Sequence, residues 1–156
     1  MTNNNHEVIF AIVNAGFAED VMDVARELGV RGGTILNARG VAREDAAAFF
    51  GITLHAEKEI LMMVVEKDLR DTVLNAIYKE MGMAKKAQGI AFSLPVSEAV
   101  GLAGPVEEKD LRDTVLNAIY KEMGMAKKAQ GIAFSLPVNE AVGLAGPAVA
   151  EKKEAE

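Results

Sequence analysis

The sequence predicts an α+β fold ordered β-α-β-β-α-β, followed by a further helix–strand unit. Three observations carry this reading. Short apolar runs recur at residues 7–13, 31–40, 60–65 and 90–96, each bounded by glycines or polar turns. Two stretches with apolar residues at helical spacing lie between them. Finally, the stretch EKDLRDTVLNAIYKEM that begins at Glu66 begins again at Glu108.

Residues 7–13 (EVIFAIV) are apolar and β-branched, as suits a strand buried on both faces. The turn NAG follows, then FAEDVMDVARELG, with Phe17, Val21, Val24, Ala25 and Leu28 on one helical face. Glu19 and Asp20 fall in its first turn, where the helix dipole favours acids. RGGTILNARG is the second strand, with glycines at both ends. Residues 41–59 form a longer connection without clear strand character. Residues 60–65 (ILMMVV) are the third strand, buried in character. Asp68 is a candidate N-cap for the second helix, whose buried stripe is Leu69, Val73, Ala76, Ile77 and Met81. In the fourth strand, IAFSLPV, Ile90, Phe92, Leu94 and Val96 alternate towards one face. Pro95 fits a strand end, because it cannot donate a ladder hydrogen bond. This order defines a ferredoxin-like α+β sandwich with both helices on one face of an antiparallel sheet. Its other face stays apolar, which implies oligomerisation.

The 156 residues suffice for one domain with a core. A net charge of −6 and a pI near 5.0 argue against nucleic-acid or anionic-membrane binding. No apolar run is long enough for membrane insertion. Without cysteine there is no disulfide, thiol catalysis or cysteine metal cluster, and the isolated His6 and His55 make no dedicated metal site. MTNNNHEVIF lacks the pattern of a signal peptide, so a cytoplasmic location is expected. Nothing has the spacing of a triad, a nucleophile elbow or a Walker loop, so an enzyme is not expected and the catalytic set is empty.

At RGGTILNARG, the long loop after it, KEILMMVV and QGIAF, the chain resembles the PII-type nitrogen-regulator and signal-transduction family. The resemblance runs from about residue 7 to 102 and lies in the ordered pattern of elements. It implies a homotrimer with sheets facing a central barrel, ATP or ADP in clefts between subunits, 2-oxoglutarate at the base of a long loop, and a transporter or enzyme as the loop's target. By this resemblance Gly32, Thr34, Gly40 and Arg43 stand at nucleotide-cleft positions, and Lys58 where a lysine contacts 2-oxoglutarate. The family's phosphate-binding loop reads T-G-x-x-G-D-G-K. Here MAKKAQGI stands in its place, keeping Gly89 and replacing the closing lysine with Ile90. AVGLAG stands where the family has its C-terminal arginines, and no tyrosine lies in the long loop.

Lys85, Lys86 and Gln88 precede Gly89, and a cationic loop before a glycine suits a bound anion. Two solvated lysines near a helix C-terminus read equally well. Thr34 and Gly40 suit nucleotide contact or simply a strand between turn glycines. Arg43, Glu44 and Asp45 are a ligand or partner handle or ordinary loop charges, and Lys58, between Glu57 and Glu59, a carboxylate receptor or a surface pair. The adjacent Phe49 and Phe50 either pin the loop to the body or form a sticky tip for a partner, pinning being the favoured reading.

Residues 106–147 repeat 64–105 with two differences, Val65 against Glu107 and Ser97 against Asn139. Ser97 and Asn139 each suit an N-cap before a short helical-looking EAVGL. The chain therefore divides into a domain at 1–105, a duplicated helix–strand segment at 106–147, packed on the same domain or a neighbouring subunit, and a flexible tail at 148–156. The second copy lacks a third strand and cannot hang free, since its apolar strand residues are each worth roughly 1.5–3 kcal/mol on burial. It can replace the first copy, add a strand beside the fourth strand, or swap into a neighbouring subunit. A right-handed crossover favours the added strand. Its loop, with Lys127, Lys128, Gln130 and Gly131, would then rebuild or block a cleft.

The leading expectation is a regulator that takes a small anionic metabolite between subunits, ATP, ADP or AMP as effector rather than cofactor, and acts on a partner through the 41–56 loop. The alternative is an oligomeric scaffold of the same fold without ligand. Metal handling, as in trimeric divalent-cation tolerance proteins of this architecture, is opposed by the missing cysteines.

Overall fold

The computed structural model describes residues 5–41, 48–49, 52–53, 56–81, 89–102, 109–123 and 131–139. Four strands form the main sheet. They are β1 (His6–Asn14), β2 (Thr34–Gly40), β5 (Ala56–Glu66) and β6 (Ile90–Pro95), in the order β2-β5-β1-β6 with every neighbour antiparallel. The most continuous apolar runs, β1 and β5, take the two central places, as strands covered on both faces should. Helices α1 (Ala18–Glu27) and α2 (Arg70–Glu80) lie on one face. There Ile9, Ala11, Val13, Leu61, Met63 and Val65 pack against Val21, Met22, Ala25, Val73 and Ile77. The fold is the ferredoxin-like α+β sandwich that the sequence predicts.

Several elements differ from the sequence reading. β5 starts at Ala56 rather than at residue 60. Its first residues lack an apolar pattern, but Ala56, Glu57 and Lys58 each have a ladder partner in Gly40, Arg39 and Ala38. Within the long connection, β3 (Ala48–Phe49) and β4 (Ile52–Thr53) form a two-residue antiparallel ladder. Such a short pairing leaves no alternation in sequence to detect. Phe50 and the Phe49 side chain lie outside the described residues, and with them the pinning of the loop.

Asp68 does not cap α2. The helix begins at Arg70 behind Leu69, with no side-chain cap. Instead the chain leaves β5 in a tight turn, where Leu69 N–H donates to the Glu66 carbonyl (2.9 Å) and Arg70 N–H to that of Lys67 (3.3 Å). In the second copy the same sequence starts a residue earlier, as α3 (Leu111–Glu122). Here Asp110 is extended and caps the helix, its Oδ1 accepting from Asp113 N–H at 3.1 Å. The same aspartate caps only where no preceding strand dictates the entry.

The second copy does not add a strand beside β6. Its strand β8 (Ala133–Ser135) pairs antiparallel with β7 (Glu98–Val100) in a separate two-stranded sheet. The EAV segment read as helical is therefore extended and buried, because an edge partner overrides its local preference. Val96 and Ala99, with Phe134 and Leu136, pack on Val8 on the sheet face opposite the helices. The apolar face is thus partly covered from within the chain, while Leu36, Ile90, Phe92 and Leu94 stay exposed.

Candidate functional site: a cleft beside β2 and the far end of the sheet

β2 is shorter than its neighbour. Thr34 lies opposite Met62, and β5 runs on to Glu66 without a β2 partner. A cleft of about 700 Å³ opens there. Arg31, Thr34, His6 and Glu66 supply its polar lining beside Gly32, while Met62, Val64 and Leu69 supply an apolar wall. Gly101, Leu102, Gly131 and Ile132, next to the Val100–Ala133 pair of β7 and β8, line it as well. An apolar wall with a few polar groups is the usual make-up of a small-molecule pocket.

The glycine crossing forms part of this lining. Gly101 has φ +92°, in the left-handed region, and a Cβ on it would strike the Gly131 carbonyl oxygen. Only glycine meets both demands. Among the described residues, His6 Nδ1 is buried and has no hydrogen-bond partner.

The predicted site residues fall into two groups. Gly32, Thr34 and Gly131 line the cleft. Gly40, Lys58 and Gly89 sit at the other end of the sheet, where the 41–56 connection leaves. Lys58 and Asn14 are register partners, and Lys58 Nζ donates to Asn14 Oδ1 at 2.6 Å. A Cβ on Gly40 would touch the Lys58 side chain at 3.2 Å, and one on Gly89 would strike the Ile12 carbonyl. Arg43, Lys85, Lys86, Gln88, Lys127, Lys128 and Gln130 lie outside the described residues. Sequence reasoning missed Asn14 and Gly101 and weighed His6 only as a metal ligand. A polar residue at a strand end or a glycine after a valine carries no local signal of a site.

Next to the cleft, Arg70 reaches from the first turn of α2 to two carboxylates. Its Nε bonds Asp71 at 2.8 Å and its Nη1 bonds buried Glu7 at 2.7 Å. The hydrogen bond to Asp71, then that to Glu7, raises the Arg70 pKa above its ordinary value, and Arg70 in turn holds Asp71 below the usual carboxylate range. Among the described residues there is no cluster of three or more metal-ligating side chains, and no helix is long and apolar enough to cross a membrane.

This sheet with both helices on one face, and a cleft at the short strand, defines a ferredoxin-like α+β protein. The sequence profile of nitrogen regulatory protein P-II matches residues 6–103, more than half of the chain, and the chain belongs to that family. The family is one of regulatory signalling proteins, not of enzymes. Among solved structures, GlnK from B. subtilis in complex with ATP is 17% identical. That match covers 67% of this chain and 93% of that one at a TM-score of 0.53, which shows a shared fold. PII from Arabidopsis thaliana bound to citrate is 27% identical, covering 62% of this chain and 81% of that one at a TM-score of 0.49. CPII, a nitrogen regulatory PII-like protein from Thiomonas intermedia K12 bound to ADP, AMP and bicarbonate, is 16% identical, covering 56% and 86% at 0.44. No curated protein matches the sequence.

Proposed function

We propose that the protein is a PII-type regulator that takes an adenine nucleotide in the cleft beside β2, takes a small dicarboxylate such as 2-oxoglutarate at the Lys58 end of the sheet, and acts on a partner protein through the 41–56 loop. It works as a cytoplasmic homotrimer whose sheets meet through the apolar face that the second copy leaves open. The observation that carries this reading is the convergence of Gly32, Thr34 and Gly131 on one cleft in a chain of the P-II family. Arg31 in its lining suits an anion, with Glu66 as the acidic counterpart, and the Met62–Val64 wall suits an apolar group. The ammonium of Lys58, held at 2.6 Å by Asn14, suits a carboxylate and lies at the opposite end of the sheet.

Thermal melting of the full chain with ATP, ADP, AMP or 2-oxoglutarate, each with and without Mg²⁺, tests this. A ligand at a hundred times its Kd adds about 2.7 kcal/mol per site, a rise of roughly 5–10 °C for a chain of this size. The reading expects such a rise with at least one adenine nucleotide. Absence of any shift overturns nucleotide sensing and leaves a ligand-free scaffold of the same fold.

A further inference from the structure

Helices α2 and α3 carry one sequence, identical from Arg70 to Glu80 and from Arg112 to Glu122, yet they bury different faces. In α2, Val73 and Ile77 are fully buried, with Leu69 and Met81 packed beside them. Their counterparts in α3, Leu111, Val115, Ile119 and Met123, are 78%, 48%, 38% and 57% exposed. α3 instead buries Asp113, Leu116 and Asn117, packed towards β7 and β8. The counterparts of its two polar residues, Asp71 and Asn75, face solvent in α2. The second copy thus hides a carboxylate and an amide and displays the stripe that the first copy hides.

What fits this stripe is already visible. The seat formed by Ile9, Leu61, Met63, Val65 and α1 holds the same four side-chain types at the same spacing in α2. The strand sequence that follows is the same as well, since residues 90–96 and 132–138 are identical. We propose that the second copy is an internal spare. Residues 108–138 exchange with 66–96 for one seat on the sheet of the same chain, with the α3 stripe turned inward and 132–137 replacing β6. The first copy predominates because it follows β5 directly. Looping it out closes a loop of about 40 residues, a bias of roughly 30- to 300-fold. The seated contacts are otherwise equivalent, so the second arrangement is a minor state of the same sheet. This inference does not depend on any ligand.

The test uses full-length variants. Val115→Asp changes an exposed residue and is expected to melt within about 2 °C of wild type. Val73→Asp puts a carboxylate in the seat, and the second copy then takes it. Cooperative melting is retained, lowered by about 5–15 °C. The double variant has no sound copy and loses cooperative melting. A direct readout comes from the absence of cysteine in the chain. A Val115→Cys thiol should react readily in the wild-type background and at least tenfold more slowly with Val73→Asp. The mass in solution of Val73→Asp should match wild type at all concentrations. If Val73→Asp is as damaged as the double variant, or the thiol reacts equally in both backgrounds, there is no spare. A mass that grows with concentration in Val73→Asp overturns exchange within one chain in favour of exchange between chains.

Discussion

The carboxylate of Glu59, on the central strand β5, accepts a 3.1 Å hydrogen bond from the backbone N–H of Ala18, the first residue of α1. The residue before Ala18 is Phe17, whose side chain has no acceptor to offer, and α1 has no side-chain cap of its own. A strand that pairs with β1 thus caps the helix that leaves β1. Glu59 and Val13 are register partners, which sets the carboxylate beside the turn at 15–17. The cap fixes α1 over the sheet and, through it, the start of the 28–33 connection that borders the cleft.

Glu59→Ala should therefore cost about 1 kcal/mol, the usual worth of an N-cap, or about 2–4 °C in Tm. Glu59→Gln keeps an acceptor oxygen and should recover most of that loss. Denaturant melts of the two variants decide it. If Gln and Ala behave alike, the bond contributes nothing as a cap.

Gly101 makes a sharper demand, because positive φ and backbone contact coincide there. Gly101→Ala should cost at least about 1–2 kcal/mol from φ alone and should prise β7 from β8. Gly32 is the control, since a Cβ there meets nothing within 4 Å and its φ is ordinary. Gly32→Ala should leave stability unchanged, so that any loss of ligand response in it reports on the cleft. Hydrogen exchange should rise at 98–100 and 133–135 in Gly101→Ala, with β1 and β5 still protected. Unchanged exchange there would mean that the crossing is not what holds the second copy.

The main sheet was legible because its signal is local and strong. A strand such as EVIFAIV, apolar on both faces, has few places to go but the centre of a sheet. The stripe Val73–Ile77 likewise points one way. What was not legible depends on partners distant in sequence. β5 extends to Ala56 because β2 offers bonds, not because Glu57 or Lys58 favours a strand. Asp68 and Asp110 are the same residue in the same sequence, and only the chain entering from β5 prevents the first from capping. Glu98–Val100 is extended because β8 lies beside it. Gly32 and Thr34, which line the cleft, are singled out by resemblance, but Asn14, which accepts from Lys58, has no signal beyond being polar at a strand end. The faces of α2 and α3 show the limit most clearly, since one sequence is buried in two ways.

Asp113 supplies a pH test of the second copy. Its side chain is buried, and burial alone raises a carboxyl pKa. The hydrogen bonds from Arg112 Nε and from the Lys109 backbone N–H, both 3.0 Å, outweigh this and hold it below its ordinary value of 3.8. A folded pKa below the unfolded one makes the stabilisation fully present above the unfolded value and lost as pH falls through the folded one. From pH 7 to 5 the α3–β8 unit should be indifferent to pH, and below about 4 it should loosen ahead of the main sheet. Asp113→Asn cannot titrate and should flatten this response, leaving the acid behaviour of β1 and β5 as it was. Carboxyl NMR titration with hydrogen exchange between pH 2 and 5 reads both effects. An Asp113 midpoint at or above the ordinary value, or acid loosening that is equal in the Asn variant, would show that the Arg112 and Lys109 contacts do not hold the α3 entry.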